Sequence, residues 1–304
     1  MYTRNSYEQY DAEIMLSQIY AILVVIYQIV RAFKGLSQGT YLDPVLDTVV
    51  ITGGSSGLGR ILCRNLAHKG VRVAILDIVE PAERSGGGIQ NFYECDIGDS
   101  DQVEETMQRV LEDLGPVSVL INNAGMSKRA SIVDTPVEDI KKMIDVNLLS
   151  HFYTTKAALP GMIRRGRGYI VTIASALGFQ SAIEYAPYCA SKAGLIALHE
   201  SLTAEVPEYG GIKTLLVVPG QMRTQMFSDI IPPHQFFAPL VEPEDLAAQI
   251  ILAIERGHSG HISEPLYVNF MPIIRALPEW TVWIFRYLSG MDKAVRMADA
   301  AVAG

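Results

Sequence analysis

Tyr188 and Lys192 are the two residues whose types and spacing point most directly to chemistry, in the stretch 188-YCASK-192. If this stretch is helical, residues four apart share one face, so the phenol and the ammonium are neighbours. A phenol has a pKa of about 10 in water, and a neighbouring positive charge favours the phenolate and lowers that pKa. The pair predicts a group that takes a proton from an alcohol or returns one to a carbonyl. A motif this short also arises by chance in an ordinary helix.

Ser175 lies thirteen residues before Tyr188, just after the predicted strand Tyr169–Ala174. Open α/β sheets bind their ligands at the carboxyl ends of the strands, and a serine hydroxyl there can hydrogen-bond a substrate oxygen. We therefore expect Ser175 to lie beside Tyr188 and to hold the oxygen that gains or loses the proton.

A glycine-rich loop, 52-TGGSSGLG-59, follows the first predicted strand and precedes a predicted helix. Its three spaced glycines let the backbone turn tightly and approach a pyrophosphate, while the helix N-terminus supplies N–H groups for the anion. The spacing is G-x-x-x-G-x-G rather than the usual G-x-G-x-x-G. The context nevertheless predicts a dinucleotide site. Its residues in the loop are Gly53, Ser55, Ser56, Gly57, Leu58 and Gly59.

Asp77 ends the second predicted strand, 18 residues after Gly59, close to where a carboxylate binds the adenosine ribose of a dinucleotide. Such a carboxylate accepts hydrogen bonds from both ribose hydroxyls but repels a 2′-phosphate. Neither Ser56 nor Ile78 supplies a cation that would offset the repulsion. The sequence therefore favours NAD(H) and leaves NADP(H) open; an ordinary acid at a strand end is the alternative interpretation.

The elements that must position these residues alternate, from residue 47 onward, between short β-branched runs and longer helical stretches. This alternation is typical of βαβ units, and the near-continuous apolar character of the strands indicates that both sheet faces are covered. We predict an α/β fold, a Rossmann-type doubly wound parallel sheet, in one catalytic domain over residues 45–265. The predicted strands are Thr48–Thr52, Val71–Asp77, Phe92–Asp96, Val117–Ile121, Tyr169–Ala174 and Ile212–Val218, and the predicted helices cover 57–69, 100–114, 136–164, 185–206 and 243–257.

The whole pattern resembles the short-chain dehydrogenase/reductase (SDR) family over residues 45–265. Eight motifs stand in the order and spacing of that family, so a chance resemblance is negligible. They are 52-TGGSSGLG-59, Asp77, 96-DI-97, 122-NNAG-125, Asn147 in 145-DVN-147, Ser175 in 172-TIAS-175, 188-YCASK-192 and 219-PGQMRT-224. The resemblance implies an oxidoreductase that transfers hydride between a nicotinamide cofactor and the CH–OH group of its substrate.

The resemblance also implies roles for individual residues. The implied catalytic set is Ser175, Tyr188, Lys192 and Asn147. In this set Asn147 holds a water that links Lys192 to solvent, and Tyr188 and Lys192 also hold the nicotinamide ribose. The other residues implied to contact the cofactor are Asp96 and Ile97 at the adenine, Asn123, Ala124 and Gly125 after the fourth strand, and Met222 and Thr224 at the nicotinamide. Met222 stands where a branched aliphatic residue is commoner in the family.

An uncharged apolar segment, 14-IMLSQIYAILVVIYQIV-30, lies near the start of the chain. As a helix it would extend about 25 Å, against about 30 Å for the hydrocarbon core of a bilayer. No small-residue cleavage site follows, so we predict a retained membrane-anchor helix within residues 1–35 rather than a signal peptide. Arg31 and Lys34 would keep the catalytic domain on the cytosolic side. A helix that docks on the protein's own body or on a partner subunit is the alternative.

Two later segments bear on the substrate. The lid segment, 225-QMFSDIIPPHQFFAPL-240, would lie over the site, where its apolar side chains suit a lipophilic substrate or pack in the core. The apolar tail, residues 266–304, carries Trp280 and Trp283 between charges and prolines, a pattern typical of a segment at a membrane interface or over a substrate. The layout is similar to that of membrane-associated retinol dehydrogenases and 17-beta-hydroxysteroid dehydrogenases of the endoplasmic reticulum and lipid droplets, and it predicts a membrane partner of that kind.

Composition narrows the classes of function. The net charge of −8 argues against a nucleic-acid partner, and three cysteines without metal-ligand spacing fit a reducing compartment. We predict no metal site, because the 258-HSGH-261 pair has no third ligand nearby and is interpreted as surface loop. The basic stretch 164-RRGR-167 is predicted to be a solvated helix end.

Dimers and tetramers are common in the family that the chain resembles, so the resemblance makes a homodimer one candidate assembly. Three functions stay open on the sequence alone. They are a membrane-associated NAD-dependent dehydrogenase of a retinoid- or steroid-like alcohol or ketone, an NADPH-dependent lipid ketoreductase of the 3-ketosphinganine type, and a non-catalytic dinucleotide sensor or scaffold. The intact catalytic set argues against the third, because a sensor needs no acid–base pair.

Overall fold

The structure is a computed structural model, and it describes most of the chain after the first forty residues. The described residues are 41–82, 90–227 and 238–302, together with Gln18 and Ile22. By its internal contacts the chain divides into two compact units, Met1–Gly39 and Thr40–Gly304.

Two predicted segments fall largely outside this description. The predicted anchor at 14–30 lies outside the described residues except for Gln18 and Ile22, and so does most of the lid segment at 225–240. Within the described ranges, none of the helices combines the length and the apolar character needed to cross a bilayer.

Seven parallel strands form one sheet, which confirms the predicted Rossmann-type α/β fold. The strands are β1 (Thr48–Thr52), β2 (Arg72–Asp77), β3 (Gln90–Glu94), β4 (Val117–Asn122), β5 (Gly168–Ile173), β6 (Ile212–Pro219) and β7 (Gly260–Glu264). Their order is β3-β2-β1-β4-β5-β6-β7. The strand order reverses between β1 and β4, and open α/β sheets bind ligands in the crevice at such a switch point.

Helices cover both faces of the sheet. Six of them belong to the βαβ units: α1 (Gly57–His68), α2 (Ser100–Leu114), α3 (Val137–Ile144), α4 (Ser150–Arg165), α5 (Ala186–Glu205) and α6 (Pro243–Glu255). Three follow in the tail: α7 (Met271–Ala276), α8 (Glu279–Ser289) and α9 (Met291–Val302). Side chains of α1 and α6 pack on one face of the sheet, and those of α2 and α4 pack on the other.

The alternation of side chains along each strand builds these two cores. Val49 and Ile51 of β1 pack against α1 and α6, whereas Val50 between them packs in the core with α2 and α4. All five residues of β1 are buried. Each fully buried aliphatic side chain contributes roughly 1.5–3 kcal/mol. The continuous apolar run that predicted this strand is thus the direct consequence of its two covered faces.

The central strands differ from their predicted bounds by one residue at most, and the two larger corrections concern the edges of the sheet. Gly260 and His261 lie in β7, so the surface loop predicted for 258–261 is wrong in its second half. The strand predicted at Phe92–Asp96 begins and ends two residues earlier, at Gln90–Glu94. Edge strands pair on one side only and keep polar side chains in solvent, so they lack the apolar run that marks a central strand.

The helix predicted over 136–164 is interrupted. Between α3 and α4 lies a π-helical turn, Asp145–Leu149, which contains Asn147. Such turns are rare and occur often at functional sites, because the wider turn takes a carbonyl out of the regular hydrogen-bond pattern. The periodicity of the sequence is continuous through this stretch and does not reveal the turn.

The prediction of a solvated helix end at 164-RRGR-167 is wrong for Arg167. After α4, Gly166 adopts a left-handed conformation (φ 60°) that turns the chain. Arg167 then forms a two-pronged ion pair with the buried Asp47, in which Nη2 donates to Oδ2 at 2.7 Å and Nη1 donates to Oδ1. Burial alone would raise the pKa of Asp47, but hydrogen bonds from Arg167 and from the Asp43 backbone hold that pKa below its ordinary value.

We expect Arg167→Leu to lower the free energy of unfolding by about 2–4 kcal/mol, because it leaves a buried carboxylate without its partner. Folding lowers the Asp47 pKa, so the wild-type contribution is present above the unfolded pKa and is lost as the pH falls through the folded value. Urea unfolding near neutral pH and in acid measures both effects.

The matched control for this pair is Lys69→Ala, which breaks an exposed ion pair of 2.7 Å with Glu255. Exposed pairs contribute less than about 1 kcal/mol. The role assigned to Asp47 would be contradicted if both variants lost the same free energy of unfolding. It would also be contradicted if the loss in Arg167→Leu were as large in acid as at neutral pH.

The tail after β7 folds against the body of the second compact unit. Arg275 of α7 donates to the Gly178 carbonyl at 3.2 Å, and Arg286 of α8 donates to the Ser181 carbonyl at 2.8 Å. Val295 of α9 is completely buried. These contacts bring all three tail helices next to the segment that connects β5 to α5.

Candidate active site

The glycine loop, residues 53–56, joins β1 to α1 in a conformation that requires glycine. Gly53 has a φ of 66°, and a Cβ there would lie 2.7 Å from the Cα of Ala124. A Cβ on Gly59, inside α1, would lie 2.1 Å from the Gly53 carbonyl oxygen. The two glycines therefore allow the loop, the first helix and the 122-NNAG-125 segment to touch.

Thr52 and Asn123 fasten this arrangement. The Thr52 hydroxyl accepts hydrogen bonds from the backbone N–H groups of Asn123 and Ala124, each at 3.0 Å. The Asn123 side-chain amide donates in return to the carbonyls of Thr52 at 3.0 Å and Gly53 at 3.1 Å. Asn123 and Ala124 thus hold the start of the glycine loop against the end of β4. Thr52 is not among the predicted site residues, although its place between the strand and the first glycine is a signal for this role.

The start of α1 faces open space. A Cβ on Gly57 would meet only Thr224 Cγ2 within contact distance, at 3.9 Å, among the residues that the structure describes. Ser56 is the extended residue before the helix and makes no side-chain cap, and Leu58 turns into the core. The first N–H groups of a helix have no partner within it, so they are available to an anion here. Met222, two residues before Thr224, is partly buried against the core.

Asp77 ends β2 beside the loop. Its Oδ2 accepts a hydrogen bond from the Ser55 N–H at 3.0 Å, and its Oδ1 accepts one from the Val79 N–H at 3.3 Å. The Ser55 hydroxyl donates to the Val79 carbonyl at 2.5 Å. Two backbone N–H groups thus orient the carboxylate, and each oxygen keeps a lone pair for a further donor.

Asp96 and Ile97 follow β3, on the same edge of the sheet as Asp77. Asp96 Oδ1 accepts a hydrogen bond from the Gly98 N–H at 3.0 Å, and the Asp96 N–H donates to Gln102 Oε1 at 3.1 Å. Ile97 is buried in the core under α2. The predicted adenine-side residues therefore lie at the carboxyl ends of neighbouring strands.

Ser175, Tyr188 and Lys192 come together after β5 and in the first turns of α5. The Ser175 hydroxyl lies beside the Tyr188 phenol, close enough to lower the pKa of the phenol by hydrogen bonding. Lys192 lies one turn after Tyr188, with Nζ 5.8 Å from the centre of the phenol ring, and it donates to the Ile173 carbonyl at 3.1 Å. All three side chains are buried. The predicted acid–base pair and the predicted oxygen-binding hydroxyl thus form one cluster.

Burial, rather than the Lys192 ammonium, governs the pKa of Tyr188. Burial raises this pKa above its ordinary value, and the hydrogen bond from Ser175 offsets part of the rise. Burial also lowers the pKa of Lys192 to about 8. The expectation that Lys192 lowers the Tyr188 pKa is wrong for this structure, because the ammonium is directed at the Ile173 carbonyl while the phenol has lost its hydration.

Asn147 braces the site from within the π turn and is completely buried. Its Oδ1 accepts from the Met126 N–H at 2.7 Å, and its Nδ2 donates to the Met126 carbonyl at 2.8 Å and to the Ser191 hydroxyl at 3.2 Å. A Cβ on Gly125 would lie 3.4 Å from both Asn147 Oδ1 and Lys192 Nζ, so these groups are close. Both amide hydrogens of Asn147 are used, whereas Oδ1 accepts one hydrogen bond and keeps a lone pair that could accept from the predicted water.

An apolar and aromatic wall, defined as the cluster around Tyr188, stands beside the phenol. The rings of Tyr185 and Phe227 lie 6.4 Å and 5.6 Å from the Tyr188 ring. The other members are Met143, Cys189 and Val295, with the partly buried Met126, Leu177, Ala182, Ile183, Met291 and Ala294. Phe227 belongs to the predicted lid. Tyr185 and Val295 are not among the predicted residues, although Tyr185 precedes Tyr188 by three residues, a helical spacing that could have indicated it.

The fold and the site together define a dinucleotide-dependent oxidoreductase, and comparison with known proteins gives the family. The chain matches the family model described as short chain dehydrogenase over residues 47–234. Retinol dehydrogenase 10 of Homo sapiens is 34% identical over 285 residues, which cover 81% of this chain and 83% of that protein. The 17-beta-hydroxysteroid dehydrogenase 13 of Rattus norvegicus is 32% identical over 267 residues, which cover 84% of this chain and 86% of that protein.

The chain therefore belongs to the short-chain dehydrogenase family, and it is an NAD(P)-dependent oxidoreductase that acts on CH–OH groups. Among solved structures, the ligand-free aldohexose dehydrogenase of Thermoplasma acidophilum aligns with a TM-score of 0.64 and 24% identity, covering 73% of this chain and 94% of that one. At that identity the likeness concerns the fold alone.

The residues present fit the nicotinamide dinucleotide that the family implies. Gly57 leaves space at the start of α1 that, among the described residues, only the Thr224 methyl group approaches. Asp77 presents an oriented carboxylate at one end of the crevice, and Tyr188 with Lys192 stands at the other. A bound nicotinamide would supply the hydride acceptor or donor beside these two residues.

Proposed function

We propose that this protein transfers hydride between NAD(H) and a lipophilic alcohol or ketone of the retinoid or steroid kind, at a membrane surface. The observation that carries the substrate class is the apolar and aromatic wall beside the Tyr188 phenol, to which Tyr185, Phe227 and Val295 contribute. Apolar walls with few polar groups suit lipophilic ligands. The names of the relatives retinol dehydrogenase 10 and 17-beta-hydroxysteroid dehydrogenase 13 support the same class.

The proposed mechanism divides the work among four residues. Ser175 hydrogen-bonds the substrate oxygen, and Tyr188 exchanges a proton with that oxygen while hydride leaves or reaches the neighbouring carbon. Lys192 would hold the nicotinamide ribose beside Tyr188, and Asn147 holds the loop after 122-NNAG-125 in place through Met126. Burial favours the neutral phenol, which is the form that donates a proton when a carbonyl is reduced.

The alternatives make different demands on the site. A ketoreductase of the 3-ketosphinganine type would use NADPH, whose 2′-phosphate meets the oriented carboxylate of Asp77. A non-catalytic sensor would need neither a serine hydroxyl beside the Tyr188 phenol nor the buried Lys192. The first alternative remains as an outcome of the test below, and we set the second aside.

The membrane part of the proposal is supported by helix α8, which turns a charged side chain toward the protein and large aromatic side chains toward solvent. Arg286 points toward the body, where it meets the Ser181 carbonyl and pairs with Asp292 at 2.9 Å. Trp280 and Trp283, in contrast, are 66% and 69% exposed. Indole rings favour the interface between lipid headgroups and hydrocarbon. We propose that this face and the anchor at 14–30 hold the protein on an endoplasmic-reticulum or lipid-droplet membrane, with the catalytic domain in the cytosol.

A substrate screen tests the proposed function. The full chain, purified in detergent, is assayed with retinoids, steroids, long-chain keto lipids and aldohexoses, each with both dinucleotides and in both directions. We expect turnover of a retinoid or steroid with NAD(H). Reduction of keto lipids with NADPH alone would favour the ketoreductase instead, and turnover of hexoses alone would remove the lipophilic substrate.

The aromatic face of α8 offers a direct test of membrane contact, because Trp280 and Trp283 are the two tryptophans of the whole chain. Their fluorescence therefore reports this face and nothing else. On addition of phosphatidylcholine vesicles we expect the emission of the full chain to shift to the blue and to be quenched by brominated lipid.

The single variants Trp280→Phe and Trp283→Phe show which indole inserts, and acrylamide quenching of the protein in buffer gives the solvent-exposed reference. Bound vesicles with unchanged emission would mean that the anchor alone makes contact, and the interfacial role of α8 would then be wrong.

A further inference from the structure

His151 is a buried titratable side chain that the proposed mechanism does not use. It lies in the first turn of α4, four residues after Asn147, and is 2% exposed. Both ring nitrogens are buried, and neither has a hydrogen-bond partner among the residues that the structure describes. Each buried polar atom without a partner costs about 1–3 kcal/mol, and proteins usually satisfy such atoms with ordered water. The two nitrogens therefore point to buried water beside His151.

Polar groups on α5 can share that water. Lys192 and His199 both act on His151: burial and, after it, the charges of these two residues lower the His151 pKa. Lys192 uses one N–H on the Ile173 carbonyl, which leaves two donors on the ammonium. A polar region thus lies where the start of α4 meets α5, because Asn147, one turn before His151, donates to the Ser191 hydroxyl at 3.2 Å.

His199 continues this polar region toward the surface. Its Nδ1 lies 3.0 Å from Thr172 Oγ1, and its ring centre lies 6.4 Å from that of His261. Thr172 on β5 and His261 on β7 are both register partners of Leu216 on β6, so their side chains lie on the same face of the sheet. His199 is buried, whereas His261 is exposed at the edge of the sheet.

We propose that His151 is a positioning residue for a buried water chain that connects Lys192, through His199 and His261, to solvent. The inference rests on the proposed function. Oxidation of an alcohol sends one hydride to the nicotinamide and one proton to solvent, and reduction of a carbonyl takes up both. Tyr188 holds that proton first and Lys192 next. The path carries the proton only, so no bond to carbon changes in it and no electron moves along it.

A neutral imidazole suits this task because one ring nitrogen accepts a hydrogen bond while the other donates one. It can receive a proton on one side and release another on the opposite side without a lasting change of charge. An aliphatic side chain at this position would fill the space and remove both hydrogen-bonding atoms. The substitution His151→Leu therefore removes the hydrogen-bonding atoms of the proposed proton path while keeping the packing of the side chain.

The kinetic test uses the full chain and the alcohol found in the substrate screen. For His151→Leu we expect kcat to fall about tenfold, with KM and NADH affinity unchanged and a larger solvent deuterium isotope effect on kcat. His151→Gln keeps a donor and an acceptor and should retain most of kcat. Ser150→Ala is the matched control, since its buried hydroxyl donates to the Val146 carbonyl of the same stretch at 2.7 Å, and it should behave as wild type.

A second measurement does not depend on turnover. A crystal structure of the full chain with NADH, at a resolution that resolves waters, should contain a water within about 3.2 Å of a His151 ring nitrogen and further waters toward Lys192 or His199. A dry site, a wild-type isotope effect in His151→Leu, or equal losses in all three variants would overturn the inference. A wild-type chain that turns over no alcohol would instead overturn the proposed function, and the water at His151 would still decide this inference.

Discussion

We expect Tyr188→Phe to lower kcat by about a thousandfold while the affinity for NADH stays within about twofold of wild type. The substitution removes one oxygen atom, which in the proposed mechanism exchanges the proton with the substrate and which lies beside the Ser175 hydroxyl. The ring that packs beside Phe227 is kept, so the apolar wall is preserved. Steady-state rates with the best substrate and a titration of NADH fluorescence measure the two quantities separately.

Tyr185→Phe is the matched control, because Tyr185 lies on the same helix with its ring 6.4 Å from that of Tyr188. Its loss of a hydroxyl should leave kcat close to wild type. Both variants should unfold within about 1–2 kcal/mol of wild type, since each loses at most one buried hydroxyl. Substantial activity in Tyr188→Phe, or an equal loss in the two variants, would remove Tyr188 from the proton-transfer step.

The helices and strands were predictable where the local sequence carries a clear pattern, such as a helix cap or an apolar run that becomes buried. The bounds of α2 match the predicted 100–114, because the Asp99 carboxylate caps the helix by accepting the N–H groups of Asp101 and Gln102, and Gly115 follows the last turn. The central strands were equally clear from their apolar runs. β7 was missed because an edge strand with one covered side alternates weakly and has the composition of a loop.

The meeting of the candidate catalytic residues could also be predicted, whereas the hydrogen bonds that hold them could not. Ser175, Tyr188 and Lys192 meet as expected. The bonds of Asn147 to Met126 and Ser191 join segments 21 and 44 residues away, and contacts between distant segments leave no periodic pattern in the sequence. The effect of burial on the Tyr188 pKa was missed for the same reason, since desolvation depends on the tertiary neighbours.

The second large effect is expected at Asp77, whose carboxylate is oriented by the Ser55 and Val79 N–H groups. We expect wild type to bind NADH more tightly than NADPH, because the carboxylate accepts from the ribose hydroxyls and repels a 2′-phosphate. Hydrogen bonds to a charged group are worth about 1.5–3 kcal/mol, so Asp77→Ser should weaken NADH binding about tenfold or more. Fluorescence titrations with both dinucleotides measure the preference directly.

Two further variants distinguish recognition of the ribose by the Asp77 carboxylate from the contribution of Asp77 to the structure of the glycine loop. Ser55→Ala removes the hydroxyl bond to the Val79 carbonyl but keeps both the carboxylate and the backbone N–H that orients it, so the preference for NADH should persist. Ile78 is 60% exposed beside the carboxylate, and Asp77→Ser combined with Ile78→Arg replaces a repelling charge by an attracting one. This double variant should favour NADPH. If wild type already binds NADPH more tightly, or if Ser55→Ala loses the preference as fully as Asp77→Ser does, the carboxylate is not the group that selects the cofactor.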